Sequence, residues 1–165
     1  MIIEYTREHD GINIPTRANP SDAGLDIYAD LLKGVTVIIE PGHNAMIPTG
    51  LRFGIPHGYM LQVCNRSSMG AKRSLVVGAH VIDSGYDGEV FIDLHNIGTE
   101  TQTIKHKDKV AQVVMMPVVA FRISESENSN LYSHGISFSE RGQGALGSTD
   151  KKKEAHPLDN MPSGF

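Results

Sequence analysis

One carboxylate next to a turn is the first candidate for catalytic chemistry. Asp83 lies in the segment Val81–Tyr86 (VIDSGY), where apolar residues precede a Ser-Gly turn and an aromatic side chain follows it. A carboxylate that is partly withdrawn from water beside Ile82 can act as a general base. The same pattern is also typical of an aspartate that only hydrogen-bonds the backbone of its own turn. Tyr86 either stacks on a ring or packs against the hairpin.

A second group of residues has the side chains that bind phosphate. Arg66, Ser67 and Ser68 follow an apolar strand and open the helix candidate 67–73. Unpaired backbone N–H groups and a guanidinium fork converge at such a junction and can hold a phosphate, although a serine at a helix start is by default only a cap. Gln112, inside an apolar strand, either faces a pocket or lies on the solvent side of an edge strand.

Two aspartates and a glycine-rich stretch complete the candidates. Asp22 and Asp26 flank Gly24 before a strand-like stretch, a pattern that on its own is more typical of a turn than of a metal site. Residues 141–149 (RGQGALGST) combine glycines, one cation and two hydroxyls. This stretch is either a disordered tail or a segment that folds over an anion, with Arg141 and backbone N–H groups as contacts.

The elements that must position these residues are predominantly β-strands. Five runs are β-branched or alternate between apolar and polar residues, and Gly and Pro separate them. These runs are 35–40, 51–55, 59–63, 89–95 and 110–116. In the run 89–95, Val90, Ile92 and Leu94 share one face, as expected for a half-buried strand. Many short strands without a helical period predict an all-β barrel or sandwich with one short helix.

A change in composition near Ser124 predicts the domain organisation. Residues from 124 onward are rich in Ser and Gly and contain few large apolar side chains. Such a segment cannot bury enough surface to offset its ordering entropy, so we expect it to be mobile without a ligand. The sequence therefore predicts a β domain over 1–123, a flexible arm over 124–150 and a solvated tail over 151–165.

The overall composition excludes several classes of protein. The 165 residues are 39% hydrophobic and 21% charged, with a formal net charge of -4, which is typical of a soluble globular domain. A globally basic nucleic-acid binder is excluded, and no apolar stretch reaches the roughly 20 residues that span a bilayer, so neither nucleic acid nor membrane is an expected partner. Cys64 has no second cysteine to pair with, and the N-terminus lacks a signal-peptide apolar run. The expected location is therefore the cytoplasm.

Five of these segments, in their order along the chain, resemble the sequence motifs of the homotrimeric deoxyuridine triphosphatases (dUTPases). They are 21–29 (SDAGLDIYA), 65–70 (NRSSMG), 78–90 (GAHVIDSGYDGEV), 109–112 (KVAQ) and 141–149 (RGQGALGST). The resemblance implies an all-β, distorted jelly-roll-like β-barrel with one short helix and a flexible C-terminal arm. It also implies a homotrimer with active sites shared at its subunit interfaces, and cleavage of dUTP to dUMP and pyrophosphate with Mg²⁺.

The resemblance also implies a role for each candidate residue. Asp83 would activate the water that attacks the α-phosphorus, and Asp26 would help to hold the hydration shell of Mg²⁺. Tyr86 would pack under the deoxyribose, where a ribose 2′-hydroxyl would clash. The other substrate-binding residues are assigned to the phosphates (Arg66, Ser67, Ser68, Gln112, Arg141, Ser148, Thr149) and to the base (His80 and Val81 in the hairpin, Leu146 in the arm). Gly147 of the arm is also counted among the substrate-binding residues.

Several residues depart from the usual motifs. The family usually has Gly where His80 stands, an aromatic residue where Leu146 stands and Arg where Lys109 stands. We therefore expect a weaker lid over the base and the loss of a bidentate fork. His80 and Asp93 are similar to the corresponding residues of the related dCTP deaminases, in which a catalytic Glu occupies the position of Asp93. That family, however, has an Arg where Ala71 stands.

These departures leave alternatives to dUTP hydrolysis open. The alternatives are a dCTP deaminase, a bifunctional dCTP deaminase and dUTPase, a pyrophosphatase acting on another deoxynucleoside triphosphate, and a catalytically silent dUTPase-like regulatory binding protein. The arm motif 141–149 is a dUTPase feature, and the presence of Asp83, Arg66 and Gln112 argues against a silent protein. Triphosphate hydrolysis is therefore favoured. A viral version would act in the cytoplasm of the infected host cell.

Overall fold

The computed structural model describes residues 2–126 and 131, and β-strands dominate this part of the chain. The elements, in order, are β1 Glu4–Arg7, β2 Leu25–Tyr28, β3 Thr36–Ile39, β4 Asn44–Pro48, β5 Leu51–Gly54, β6 Tyr59–Cys64, α1 Ser67–Arg73, β7 Leu75–Val77, β8 Val81–Asp83, β9 Phe91–Asn96, β10 Gln102–Lys105 and β11 Lys109–Pro117. The unit Met1–Phe121 contains all of them, and only residues 122–126 and 131 of the second unit, Arg122–Phe165, are described. The motif 141–149 and the tail 151–165 lie outside the described residues.

The strands pair antiparallel in four sheets. The largest has the order β2-β11-β6-β8, the second has the order β4-β9-β7, and two small sheets are formed by β10 with β3 and by β1 with β5. Within the described residues, no sheet closes on itself into a cylinder. The predicted all-β class with one short helix is thus confirmed, while the word barrel describes the arrangement only loosely. No helix in the described part of the chain is long and apolar enough to cross a bilayer.

The alternation of side chains along the strands explains how the four sheets bury a common core. In β9, Ile92 and Leu94 are buried while Phe91 is exposed, as the sequence predicts. The largest fully buried side chains are Ile27, Ile39, Ile47, Leu51, Leu61, Leu75, Ile92, Leu94, Ile104, Val110, Val113 and Asn96. Because they come from strands of all four sheets, one hydrophobic core holds the outward-facing residues of every sheet in place.

Strand β6 positions two candidate residues, Gln112 on one of its edges and Asp83 on the other. On one edge it pairs with β11, where Cys64 lies opposite Gln112, and on the other edge it pairs with β8, where Met60 lies opposite Asp83. Gln112 and Asp83 are therefore separated by four residues along β6 and by two strand spacings across it, or about 13 Å and about 10 Å. The backbone hydrogen bonds of one chain keep the two groups apart.

A polar cluster crosses the outer side of the β4-β9-β7 sheet. Asn44 Nδ2 donates a hydrogen bond to Asp93 Oδ1 (2.8 Å), and His95 Nε2 lies 2.9 Å from Asp93 Oδ2. Burial alone would raise the pKa of Asp93, but hydrogen bonds from Asn44 and His95 and the charge on His95 outweigh burial and hold that pKa below the ordinary value of 3.8. The ionised form of Asp93 is therefore the one that the folded state favours.

This depressed pKa predicts a contribution to acid unfolding. Asp93 adds stability above the ordinary carboxyl pKa, and this stability is lost as the pH falls through 3.8 toward the lower pKa of the folded state. Asp93→Asn should lower the free energy of unfolding by about 1–2 kcal/mol at pH 7. It should also flatten the fall in melting temperature between about pH 5 and about pH 2, measured by circular dichroism. The control is Asp87→Asn, whose side chain is 93% exposed; equal effects of both substitutions would contradict the assignment.

Candidate active site

Three sequence segments form a polar pocket at one end of the β2-β11-β6-β8 sheet. Asp26 of β2 pairs with Gln112 of β11, and Arg66 directly precedes α1. The residues that line this polar pocket are Ala18, Asp22, Gly24, Asp26, Arg66, Ser67, Ser68 and Gln112. A guanidinium group, two hydroxyls and an amide on one concave surface are well suited to bind a chain of phosphates.

Asp26 holds the two cations of this region. Its Oδ1 accepts a hydrogen bond from Arg66 Nε and its Oδ2 accepts one from Lys109 Nζ, both at 2.8 Å, and its side chain is only 13% exposed. Burial alone would raise the pKa of Asp26, but the two hydrogen bonds and the two positive charges outweigh burial and lower that pKa. The hydrogen bond to Asp26 in turn raises the pKa of Lys109. Both shifts favour the ionised forms of Asp26 and Lys109 at neutral pH.

Helix α1 begins without the serine cap that its sequence suggested. The N-cap residue is Arg66, in an extended conformation (φ -83°, ψ 139°), and no side chain caps the helix. Ser67 is exposed, and Ser68 Oγ lies at a long distance of 3.5 Å from Arg66 Nη1. Because the serines do not cap α1, their hydroxyls can be turned toward a ligand in the polar pocket.

Gln112 faces the polar pocket rather than open solvent on a strand edge. Its Nε2 donates to the backbone carbonyl of Asn65 (2.9 Å), and Asn65 is itself fixed because its Oδ1 accepts the N–H of Val77 (2.7 Å). The Oε1 of Gln112 lies against Gly24, which is buried, and a Cβ at Gly24 would overlap that oxygen. The glycine of the first motif therefore makes room for the glutamine of the fourth.

The second candidate group lies in a separate, mainly apolar depression, which we call the hairpin pocket. It lies beside the hairpin that follows β8 and is lined by Met46, Val81, Ile82, Asp83, Tyr86, Glu89, Val90 and Phe91. The turn itself is closed by the N–H of Tyr86, which donates to the carbonyl of Asp83, and Gly85 supplies the positive φ (90°) that this turn requires. Ser84 Oγ donates to the carbonyl of Ile55 (2.9 Å), which fixes the turn to the preceding loop.

The carboxylate of Asp83 is free. Within the described residues it makes no hydrogen bond or ion pair, and only its backbone carbonyl takes part in the turn. The interpretation of Asp83 as a side-chain turn cap is therefore wrong. The expectation that Asp83 is partly withdrawn from water is also not met in a single chain, because Asp83 is exposed. An unengaged carboxylate beside an apolar surface remains available to accept a proton.

His80 does not line the hairpin pocket. Its ring Nδ1 lies 2.9 Å from the carbonyl of Val63, to which it donates a hydrogen bond, so the ring is tied to β6. Val81, by contrast, does line the pocket.

The polar pocket and the hairpin pocket have no lining residue in common. The first contains Asp26, Arg66, Ser67, Ser68 and Gln112, and the second contains Val81, Asp83 and Tyr86. The predicted contacts of the arm, namely Arg141, Leu146, Gly147, Ser148 and Thr149, lie outside the described residues.

Several residues in or beside the two pockets were given no role from the sequence. Lys109 drew attention only as a replacement for Arg, yet it is a direct partner of Asp26. Met46 and Phe91 form the apolar wall of the hairpin pocket. The alternation of β9 gave a usable signal for Phe91, since it faces away from Ile92 and the core, but Met46 joins it only through the pairing of β4 with β9.

The polar pocket fits a magnesium ion that arrives with phosphates. No cluster of three His, Cys, Asp or Glu side chains that could hold a metal by itself exists in the described part of the chain. Mg²⁺ keeps several waters and binds proteins through one or two carboxylates together with phosphate oxygens. Asp26 and Asp22 provide carboxylates on the pocket wall, and each oxygen of Asp26 keeps a lone pair beyond its present hydrogen bond.

A family model for dUTPase matches residues 10–149 of this chain. The chain belongs to the dUTPase family. The match includes all five motif segments, so both pockets and the arm motif 141–149 fall within it.

Curated relatives of the dUTPase family match over most of their length. The deoxyuridine 5′-triphosphate nucleotidohydrolase of Beijerinckia indica subsp. indica is 33% identical over 151 residues, which are 90% of this chain and 90% of the relative. The protein of the same name from Desulfotalea psychrophila is 37% identical, over 87% of this chain and 91% of the relative.

Solved dUTPase structures share the fold. The Staphylococcus bacteriophage 80alpha dUTPase, solved with dUPNHPP, is 25% identical with a TM-score of 0.74 and covers 89% of this chain and 97% of its own. A mutant dUTPase from phage phi11 of S. aureus, in which a structural Mg(II) ion is coordinated, is 25% identical with a TM-score of 0.69, over 77% and 97% of the two chains.

The contact between Gly24 and Gln112 gives a prediction about phosphate binding. Gly24→Ala should displace the amide of Gln112 and weaken binding of inorganic tripolyphosphate, measured by titration calorimetry, by about tenfold, the loss of roughly one hydrogen bond. The control is Gly54→Ala in β5, where a Cβ would make an ordinary contact at 3.7 Å. Unchanged affinity in Gly24→Ala would show that Gln112 does not contact the phosphates.

Proposed function

We propose that the protein is a dUTP diphosphatase, which hydrolyses dUTP to dUMP and pyrophosphate. The observation that carries the proposal is the unengaged carboxylate of Asp83 beside an apolar pocket, in a chain of the dUTPase family. The polar pocket supplies a second, chemically different half of the site, with side chains suited to a triphosphate. Both halves are needed to bind and cleave a nucleoside triphosphate.

In this proposal, Asp83 acts as the general base. Its carboxylate accepts a proton from a water molecule as the water oxygen bonds to the α-phosphorus, and the bond from that phosphorus to the bridging α–β oxygen breaks to release pyrophosphate. Arg66, Ser67, Ser68 and Gln112 bind the phosphate oxygens and stabilise the negative charge that moves onto the leaving group. Arg141, Ser148 and Thr149 of the arm add contacts to the terminal phosphates.

A magnesium ion bound with the triphosphate would neutralise its charge and that of the pyrophosphate leaving group. Asp26 would hold the ion through water, and the support for this role is its position on the wall of the polar pocket. The ion pairs from Arg66 and Lys109 keep Asp26 ionised, which a ligand for Mg²⁺ requires.

The hairpin pocket would bind the nucleoside. Tyr86 packs under the deoxyribose, and the backbone of the hairpin reads the edge of the base, with Leu146 and Gly147 of the arm as a cover. Val81 contributes to the wall that receives the base. In this proposal, His80 supports the hairpin and makes no direct contact with the base. The support for this role is the hydrogen bond from its ring to the carbonyl of Val63.

Each active site would be shared between copies of the chain in a homotrimer. The support is the separation of Asp83 from Gln112 along and across β6, together with the absence of a common lining residue. A base and an α-phosphorus bound at the hairpin of one copy would place the remaining phosphates in the polar pocket of another. We also infer that the reaction takes place in the cytoplasm, of the cell itself or of an infected host.

Deamination of dCTP is less well supported. The carboxylate of Asp93, which occupies the position of the deaminase Glu, is engaged by Asn44 and His95 and does not line the hairpin pocket. A base that is already hydrogen-bonded on both oxygens and lies outside the pocket is poorly placed to act on cytosine.

The first test of this function is the release of pyrophosphate. The protein with Mg²⁺ should release pyrophosphate from dUTP, and Asp83→Asn should lower kcat by roughly 10²- to 10⁴-fold with the fold retained. Equal rates in the two proteins would exclude Asp83 as the base. Release of ammonia from dCTP in the same assay would identify a deaminase instead, and no turnover of any nucleotide by the wild type would identify a silent binding protein.

Shared sites are tested by mixing two inactive variants. Asp83→Ala destroys the hairpin half and Arg66→Ala destroys the phosphate half, so each protein alone should be inactive. When the two are unfolded together and refolded at equal concentration, random assembly should restore about a quarter of the sites. A mixture of Arg66→Ala with Ser67→Ala, two changes in the same pocket, is the control. No recovery in the first mixture would indicate that each site belongs to one chain.

A further inference from the structure

The ring of Tyr86 is held in the hairpin pocket by its own loop. Its hydroxyl donates a hydrogen bond to the backbone carbonyl of Glu89 (2.9 Å), and a side chain at Gly88 would overlap that hydroxyl. The residue is 48% exposed, so burial in the core does not fix the ring. The position of the ring therefore depends on where the backbone of residues 88–89 lies.

The side chain of Glu89 ties this backbone to the turn between β4 and β5. The N–H of Gly50 donates to Glu89 Oε1 (2.8 Å), and Gly50 has a φ of 65° and no room for a Cβ, which would overlap Ile12. The next residue is joined to the same turn, since the N–H of Val90 donates to the carbonyl of Leu51 (2.8 Å). Leu51 is fully buried, so the turn is a rigid anchor for the loop.

A second connection of the same loop is much weaker. Arg52 Nη1 lies 3.6 Å from Asp87 Oδ1, and the side chain of Asp87 is 93% exposed. Exposed ion pairs at this distance contribute little to the position of a loop. Of the two acidic side chains that follow Tyr86, Glu89 is therefore the one that holds the backbone beneath the ring.

We infer that Glu89 is a positioning residue for Tyr86 and thereby helps to set the preference for deoxyribose over ribose. The inference rests on the proposed function, in which Tyr86 packs under the sugar. Without the hydrogen bond between Gly50 and Glu89, the backbone of 88–89 and the ring above it can move away and leave room for a 2′-hydroxyl. A displacement of about 1 Å at such a contact changes relative rates by roughly tenfold or more.

The test compares kcat/KM for dUTP with kcat/KM for UTP in the wild type and three variants. Glu89→Ala should lower this ratio roughly tenfold, with the rate on UTP rising. Glu89→Gln keeps an oxygen that accepts the N–H of Gly50, so its ratio should stay within about threefold of the wild type. Asp87→Ala removes a neighbouring acid and should match the wild type. An unchanged ratio in Glu89→Ala, or an equally lowered one in Glu89→Gln, would overturn the inference.

A further variant keeps the test decisive if Glu89→Ala does not fold. Tyr86→Phe keeps the ring but removes the hydroxyl that donates to the backbone carbonyl of Glu89. The ratio of kcat/KM for dUTP to that for UTP should therefore fall by about threefold or more, and an unchanged ratio would overturn the inference. Failure of the proposed function gives a different result, because the wild type itself would then release no pyrophosphate from dUTP. If only this inference fails, the wild type still hydrolyses dUTP and the variants keep the wild-type preference for deoxyribose.

Discussion

The pairing of β6 on both of its edges is the constraint on which the rest of the site depends. Backbone hydrogen bonds join β6 to β11 on one side and to β8 on the other, and they fix the register of both neighbours. The amide of Gln112 and the carboxylate of Asp83 are therefore carried on one rigid sheet at a set distance. A ligand cannot draw them together without breaking strand pairs, because a shift of register would move core side chains to the solvent face. In the proposed function, the geometry of the site would thus be set by this sheet and by the association of neighbouring chains.

Ion pairs orient the charged side chains of the polar pocket in the absence of a ligand. The carboxylate of Asp26 lies between Arg66 and Lys109 and compensates two cations that would otherwise repel each other. Arg66 uses Nε for Asp26 and makes only long contacts through Nη1, to Ser68 and to the carbonyl of Lys109, while its Nη2 has no partner among the described residues. The guanidinium group is therefore held in one orientation with donors to spare. Such preorganisation would lower the entropic cost of binding the triphosphate in the proposed function.

The sequence predicted local features well and long-range ones poorly, for physical reasons. Strand alternation predicted the buried face of β9, and the Ser-Gly pair predicted the turn at Ser84 and Gly85, because both features depend on residues adjacent in the chain. The contact of Gly24 with Gln112 could not be predicted, since strand pairing creates it between distant positions. The same holds for the division of the candidate residues between two pockets, which follows from register. At α1 the local rule failed, because Arg66, instead of a serine, occupies the N-cap position.

The exposure of Asp83 links the proposed general-base catalysis to the proposed association of chains. A carboxylate in full contact with water is a weak base, and general-base catalysis at neutral pH is favoured when burial raises its affinity for a proton. The single chain provides an apolar wall of Met46, Val81 and Phe91 in the same pocket as Asp83, and Asp83 remains exposed. Those three side chains are themselves 43% to 57% exposed. A neighbouring chain or a bound nucleotide would bury this apolar surface, which lowers the free energy. In the proposed mechanism, the same contact that buries this apolar wall would also withdraw Asp83 from water and so favour its use as the general base.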